Sequence, residues 1–533
     1  VNRSPRYCPD AHADVCLLLE GTYPYIRGGV STWVRQIIEG MPDVRFSIIF
    51  LGSRAADYDE PAYTLPDNLV HLELHFLLGA DEVNQSGSPA DAEPAQLDAR
   101  VPWWRRGRVN ARRFASNDEL HSSLAVTDGA LDTAVTAGFT DLMTGPARIT
   151  DKDLRRSRLS WETIRSKYGE APPGVDFNHY FWTVRGMHAP LFVLADIVRY
   201  RPQADLYHAV STGYAGFLGA MLQRETGKPY LISEHGIYTK ERELDLAQVD
   251  WIPADPEPYR VGINDGMSHL RNTWIRFFRS LGRMSYSKAD RIFTLYEGNR
   301  LRQIEDGAPA EKIEIIPNGV DVQRFRVHRR APDAAVPPVL ALIGRVVPIK
   351  DIKTFIRAMR IVRSVIPEAE GWLIGPEDEA PVYTEECKSL ARSLDLDSAV
   401  KFLGFRKPEE IFPQIGLSVL TSVSEGQPLV LLEGFATGIP ALATDVGSCT
   451  DLVHGITPED RALGCAGAVV PIANPARFAA AAVALLSDRS VWESARDAAI
   501  ARVEAHYDDT GMIERYRMAY ANVGLRAATD KAA

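Results

Sequence analysis

Apolar residues along this chain come in short, dense runs rich in Val, Ile and Leu, each followed by a turn and then a stretch whose apolar positions recur every three or four residues. A continuous apolar run predicts a strand buried on both faces, and the longer period predicts an amphipathic helix. Their alternation predicts parallel strands joined by crossover helices. In the first half strands are predicted at Asp14–Gly21, Arg45–Gly52, Leu69–Phe76, Asp205–Ser211, Pro229–Glu234, Arg291–Leu295 and Lys312–Ile316. Helices fall between them, notably at Val30–Met41, Phe177–Tyr200 and Asp265–Ser287.

The second half repeats the rhythm more compactly. Its strands are predicted at Val339–Gly344, Ala369–Gly375, Val400–Gly404, Leu417–Thr421, Pro440–Thr444 and Ala468–Pro471, and its helices at Asp351–Val365, Pro381–Leu394, Pro428–Thr437 and Pro475–Leu486. Val327–Pro338, with Pro332, Pro337 and Pro338, reads as the linker. The expected architecture is α/β, with two doubly wound, Rossmann-like domains facing each other across a cleft. The boundaries expected are 1–330 and 331–510, with a C-terminal helix over 511–533 packing back on the first domain.

Two stretches break the rhythm. Gly79–Ala99 carries five acids and no base, which reads as a mobile surface segment. Arg100–Arg113 holds six arginines with Trp103 and Trp104. That patch reads either as a solvated face with the tryptophans packed inward or as a docking surface for a membrane, an acidic partner or a polymer. The region over about 79–171 is expected to be a helical insertion in the first domain.

Length and charge narrow the function. A chain of 533 residues with 45% apolar content exceeds one hydrophobic core and is too apolar to be disordered. Its formal charge of −10 excludes bulk attraction to nucleic acid, so an anionic ligand needs a local site. Cys8, Cys16, Cys387, Cys449 and Cys465 are odd in number and scattered, which predicts neither a disulfide framework nor a zinc module and favours a reducing cytoplasm. No apolar stretch nears the roughly 20 residues of a membrane span, and no signal core is expected at the start.

Ligands of open α/β sheets bind outside the carboxyl ends of the strands. After the first predicted strand, Gly28-Gly29 open a helix, where backbone N–H groups can meet an anion or simply make a tight turn. After Val339–Gly344 come Arg345 and Lys350, two cations able to neutralise a diphosphate. The richest segment is Ser424-Glu425-Gly426-Gln427-Pro428-Leu429-Val430-Leu431-Leu432-Glu433-Gly434-Phe435. Pro428 suits a helix start, so Glu425 lies in the loop and Glu433 about 7.5 Å further along the axis. Glu433 is the one acid of an apolar helix and is expected to need a partner, either ligand hydroxyls or a structural base. The first-turn N–H groups of Leu429 and Val430 offer an anion site. Asp395-Leu396-Asp397 has the spacing of a metal motif but reads as a solvated turn, and no metal or cofactor is expected.

Glu425 and Glu433 form an E-x7-E pair that, with Gly28-Gly29, Arg345 and Lys350, resembles the retaining glycosyltransferases of family 4 on the GT-B fold. The resemblance runs from Asp14 to about Tyr520, apart from the insertion. It implies that Glu433 grips the ribose of a nucleotide-sugar donor, with Gln427, Leu429 and Val430 beside it, and that Glu425 meets the transferred sugar. Arg345 and Lys350 would neutralise the diphosphate, and Gly28 and Gly29 would close over it. His235, in Ser-Glu-His-Gly, matches the family histidine that faces the donor sugar. His208 and Asn318-Gly-Val-Asp321 also match family positions, although a core histidine and an Asn-Gly turn explain them as well. The implied reaction moves a hexosyl or N-acetylhexosaminyl group from a UDP-sugar to a carbohydrate acceptor, with exopolysaccharide-synthase components at the inner membrane as partners. Two rivals remain: a non-catalytic module that keeps nucleotide or polysaccharide recognition, and a glycan phosphorylase, for which no pyridoxal-lysine signature is found.

Overall fold

The computed structural model describes residues 6–8, 10–78, 144, 157–171, 175–200, 203–248, 269–331 and 333–525. The acidic run, the arginine patch and most of the expected insertion lie outside the described residues. The chain divides into two compact units. One comprises Val1–Thr294, Arg300–Glu314 and Met518–Ala533, the other Leu295–Asn299 and Ile315–Arg517.

The first unit is built on a seven-stranded sheet. Its strands are β1 (Ala13–Glu20), β2 (Phe46–Gly52), β3 (Leu69–Phe76), β4 (Ala204–Ala209), β5 (Tyr230–Glu234), β6 (Arg291–Thr294) and β7 (Ile313–Ile315). They lie in the order β3-β2-β1-β4-β5-β6-β7, and the ladders from β3 through β6 are parallel. Every residue of Phe46–Gly52 is buried, as two covered faces require. The helices Phe177–Tyr200, Tyr214–Thr226 and His269–Lys288 line the core with Leu191, Leu194, Phe217, Leu218, Phe277 and Leu281. Chain order reverses at β1, which has β2 on one side and β4 on the other, so the loops leaving β1 and β4 diverge there and open a place for a ligand.

The second unit repeats the plan with six strands: β8 (Val339–Ile343), β9 (Glu370–Ile374), β10 (Val400–Phe402), β11 (Leu417–Leu420), β12 (Ala441–Thr444) and β13 (Gly467–Val470). They run in the order β10-β9-β8-β11-β12-β13, all parallel. The reversal point is β8, between β9 and β11. A Cβ on Gly375 would lie 2.0 Å from the Gly344 carbonyl oxygen, so the chains leaving β9 and β8 touch backbone to backbone. Arg502 is fully buried in the helix Arg489–His506. Its guanidinium donates to Asp460 Oδ1 at 2.6 Å and to the carbonyls of Val453, Asp460 and Gly464 at 2.8 to 2.9 Å. That one side chain ties the ends of two short helices, at Val453 and Asp460, to the loop at Gly464.

Candidate functional site

In the second unit the chemistry collects at the carboxyl ends of β8, β11 and β12. After β8 a single 3-10 turn, Pro348–Lys350, leads to Asp351, which has φ 44° and caps the helix Ile352–Val365 through a bond from Thr354 N at 3.2 Å. This left-handed residue turns Lys350 back across the sheet edge, where Thr421 Oγ1 holds its carbonyl at 2.8 Å. Lys350 Nζ then meets Glu425 Oε1 at 2.5 Å, and Ser422 Oγ donates to the same oxygen at 2.6 Å. The Glu425 loop is fixed from β12. Gly447, at φ +57°, lies so close that a Cβ there would sit 2.2 Å from the Gly426 carbonyl, and Ser448 N donates to that carbonyl at 2.9 Å.

The helix after Glu425 runs Leu429–Ala436 with Pro428 as its N-cap and no side-chain cap. Among the described residues no acceptor meets the N–H groups of Leu429 and Val430, so the positive end of the helix dipole is open to an anion. Glu433 keeps some exposed surface, but its carboxyl lies deep enough that desolvation pushes it up to about 7, with Arg324 pulling it down and the like charge of Glu409 adding to the rise. Arg324 is itself taken by Glu409. The Glu433 carboxylate therefore has no hydrogen bond or ion pair among the described residues, and the structural base expected as one alternative is not there.

Two predicted residues are engaged elsewhere. Gln427 Oε1 accepts from Asn318 N at 2.6 Å, fastening the loop that enters this unit to the site helix. Arg345 is half exposed and gives both ends of Glu379 a bond from Nη1, at 2.6 and 2.8 Å. Asp395 has φ 56° just after the helix Pro381–Ser393, as a surface turn requires.

In the first unit, Gly28 is the N-cap of the helix Gly29–Gly40, with extended backbone at φ 167°, and a Cβ there would meet nothing within 4 Å. The glycine pair is thus an exposed, open loop. His235 follows β5 directly. Neither of its buried ring nitrogens has a partner, and Trp33 packs edge to face on the ring with centroids 4.7 Å apart. Burial lowers its pKa to about 4, so the imidazole is neutral at physiological pH. His208, by contrast, is a satisfied core histidine: Tyr520 Oη lies 2.9 Å from Nδ1 and Ser233 Oγ 2.8 Å from Nε2. Sequence reasoning missed Trp33, which packs on His235, and Ser422, which donates to Glu425. Only Ser422, three residues before Glu425, carried a local signal.

His12, Asp14 and Asp205 gather at the amino ends of β1 and β4, the far edge of the sheet from His235. Arg45 pairs with Asp14 at 3.1 Å, and Lys228 and His12 with Asp205 at 3.3 Å each, so this cluster is an ion-pair network.

Comparison with known proteins agrees with this division. Residues 337–488 match the family model described as Glycosyl transferases group 1, so the second unit carries a glycosyltransferase domain. The chain belongs to the family described as Domain of unknown function (DUF3492), whose model spans residues 13–311. A D-inositol 3-phosphate glycosyltransferase from Nocardia farcinica is 30% identical over 217 residues, 38% of this chain and 46% of that one. Its counterpart from Acidothermus cellulolyticus is 29% identical over 351 residues, 61% of this chain and 70% of the relative. The chain thus spans about half the length of the first of these curated relatives. Among solved structures, Anabaena HepE in complex with UDP superposes with a TM-score of 0.56 at 14% identity, over 96% of this chain and 100% of that one. Sucrose-phosphate synthase from Thermosynechococcus elongatus gives 0.55 at 15%, over 96% and 99%. At such identities the likeness is one of fold, and the fold is GT-B.

Proposed function

We propose that this protein is a retaining glycosyltransferase that moves a hexosyl or N-acetylhexosaminyl group from a nucleoside diphosphate sugar, with uridine as the base, to a growing polysaccharide. The observation that carries the reading is the unpartnered carboxylate of Glu433, one helical stretch beyond the free N–H groups of Leu429 and Val430. An acid with no base beside it suits a pair of neutral ribose hydroxyls, and open helix N–H groups suit phosphate oxygens. Support comes from the HepE structures, whose descriptions name UDP alone and UDP with glucose.

In this reading Lys350 trades Glu425 for the departing diphosphate, and Arg345 leaves its exposed partner Glu379 to do the same. The reaction then needs stabilisation of leaving-group charge more than a strong base, which fixed cations and backbone N–H groups supply without reorganisation. Glu425 faces the transferred ring, and in the first unit Gly28-Gly29 offer backbone N–H groups to an anion. The opening Leu18-Leu-Glu-Gly-Thr-Tyr-Pro-Tyr-Ile-Arg-Gly-Gly-Val-Ser-Thr-Trp-Val34 and the string Ser424 to Gly434 resemble PelF, the glycosyltransferase of bacterial Pel exopolysaccharide synthesis. We therefore assign the chain to Pel-type synthesis in the cytoplasm, alongside inner-membrane synthase components. Among the described residues no helix is long and apolar enough to cross a membrane.

The test is a panel of UDP- and GDP-sugars read by nucleoside diphosphate release, with Glu433→Ala as the blank and the anomeric configuration of the product read by NMR. Release from a UDP-hexose or UDP-N-acetylhexosamine with retained configuration supports the reading. Nucleotide binding without release from any donor, across acceptors, returns the chain to a binding module.

A further inference from the structure

Thr421 and Ser422 follow β11, Thr444 closes β12, and none of the three is more than 1% exposed. Their hydroxyls serve one spot. Thr421 Oγ1 donates to the Lys350 carbonyl at 2.8 Å, Ser422 Oγ to Glu425 Oε1 at 2.6 Å, and Thr444 Oγ1 to the Ser422 carbonyl at 2.7 Å. Val423 N adds a bond to the Ile349 carbonyl at 2.9 Å. The backbone around Ser422 is thereby fastened on two sides, to the turn that carries Lys350 and to the next strand. An ionised carboxylate only accepts, so the single proton of the Ser422 hydroxyl is committed to Glu425.

The two bonds to Glu425 fall on the same oxygen. Lys350 Nζ meets Oε1 at 2.5 Å beside the Ser422 hydroxyl, and Oε2 has no hydrogen bond or ion pair among the described residues. One oxygen is held twice and the other is left free. The two holders are not equivalent. A lysine ammonium rides on a flexible four-carbon stem and can turn to a nearby anion, whereas the hydroxyl of a buried serine on a fastened backbone stays where it is. When a diphosphate draws Lys350 off Oε1, Ser422 is the group that still holds the carboxylate. Charge on a departing diphosphate grows as its bond to the sugar breaks, so the pull on Lys350 is greatest in the transition state. Glu425 depends most on Ser422 at that same point.

We infer that Ser422 is a positioning residue, which keeps Glu425 oriented while Lys350 serves the leaving group. This role rests on the glycosyl-transfer reading. The experiment measures initial rates of nucleoside diphosphate release by the full chain over a range of UDP-sugar concentrations, with the donor that the wild type uses best. Ser422→Ala is expected to lower kcat about 10- to 100-fold, the worth of a hydrogen bond to a charged group, with the donor KM changed less than about threefold. Ser422→Thr, which keeps the hydroxyl, should recover most of the loss. In a Glu425→Ala background, followed by single turnover at excess enzyme, Ser422→Ala should cost no further rate, because no carboxylate is left to orient. A residue that only supports the fold would slow both backgrounds by the same factor. Undiminished turnover in Ser422→Ala, a defect confined to KM, or equal losses with and without Glu425 overturns the inference. So does a Ser422→Thr variant that melts like the wild type and stays as slow as Ser422→Ala. No release by the wild type from any donor removes the transfer reading and this role with it. That result appears before any substitution is made, so the two failures are told apart.

Discussion

Lys350 and Glu425, separated by three strands in sequence, are joined at 2.5 Å across the carboxyl edge of the second sheet. The pair is the meeting point of two segments that resemble a family's donor site, and it puts a cation within reach of whatever lies over the helix at Leu429. Lys350→Ala is expected to lower kcat by about 10²- to 10³-fold, the usual cost of losing one charge that stabilises a leaving group. Lys350→Arg should recover part of it. Initial rates of nucleoside diphosphate release decide this, and near-wild-type turnover in Lys350→Ala would remove the residue from the site.

Arg345 allows a cleaner separation of activity from stability. Its bond with Glu379 is half exposed on both sides, and such pairs contribute about 0–1 kcal/mol. Arg345→Ala should therefore melt close to the wild type in thermal denaturation while losing most of its turnover. Glu379→Ala should melt close to it as well. A large drop in melting temperature without a kinetic defect would assign Arg345 to structure.

Glu433 makes a pH prediction. Its carboxyl titrates at about 7 in the folded protein against 4.5 for an unburied group. Between those values the folded state holds more protons than the unfolded state, so stability falls as pH rises from about 4.5 through 7. Glu433→Gln should flatten this part of the stability profile and gain over the wild type at pH 8. Nucleotide affinity should move the other way, rising as the carboxylate forms and losing that rise in Glu433→Gln. Urea unfolding and nucleotide titration from pH 5 to 8 measure the two slopes.

His235 and His208 act in the opposite sense. Burial lowers them to about 4 and about 3, below the 6.5 of a free imidazole. The unfolded chain binds the extra protons, so stability is lost as pH falls from 6.5 toward 3. His208→Gln should soften that acid transition. Urea midpoints between pH 4 and 7 are the check.

Arg502 gives the strongest stability prediction. It is fully buried against Asp460, which is 3% exposed. Arg502→Ala leaves a buried carboxylate and several carbonyls unpaired and should cost about 3–5 kcal/mol, read by the denaturation midpoint. Loss below about 1 kcal/mol would contradict the described packing.

The strands were legible because parallel strands buried on both faces leave continuous apolar runs. Leu69–Phe76 is found at its predicted bounds, and Phe46–Gly52 differs from its prediction by one residue. The loops were legible only in part. Glu433 announced itself as the lone acid of an apolar helix, and Glu425 as the acid of the loop before it. Gln427 did not reveal that its amide oxygen holds Asn318, more than 100 residues earlier, nor did Arg345 reveal Glu379. Such partners depend on which strand ends the sheet order sets side by side.

The central claim is that the second unit holds a nucleotide through Glu433. Calorimetric titration of UDP into the wild type and Glu433→Ala at pH 8 tests it directly. Saturable binding by the wild type, weakened at least about tenfold by the substitution at unchanged thermal stability, is the predicted result. Equal UDP affinity in the two proteins, or no UDP binding by the wild type, would contradict it.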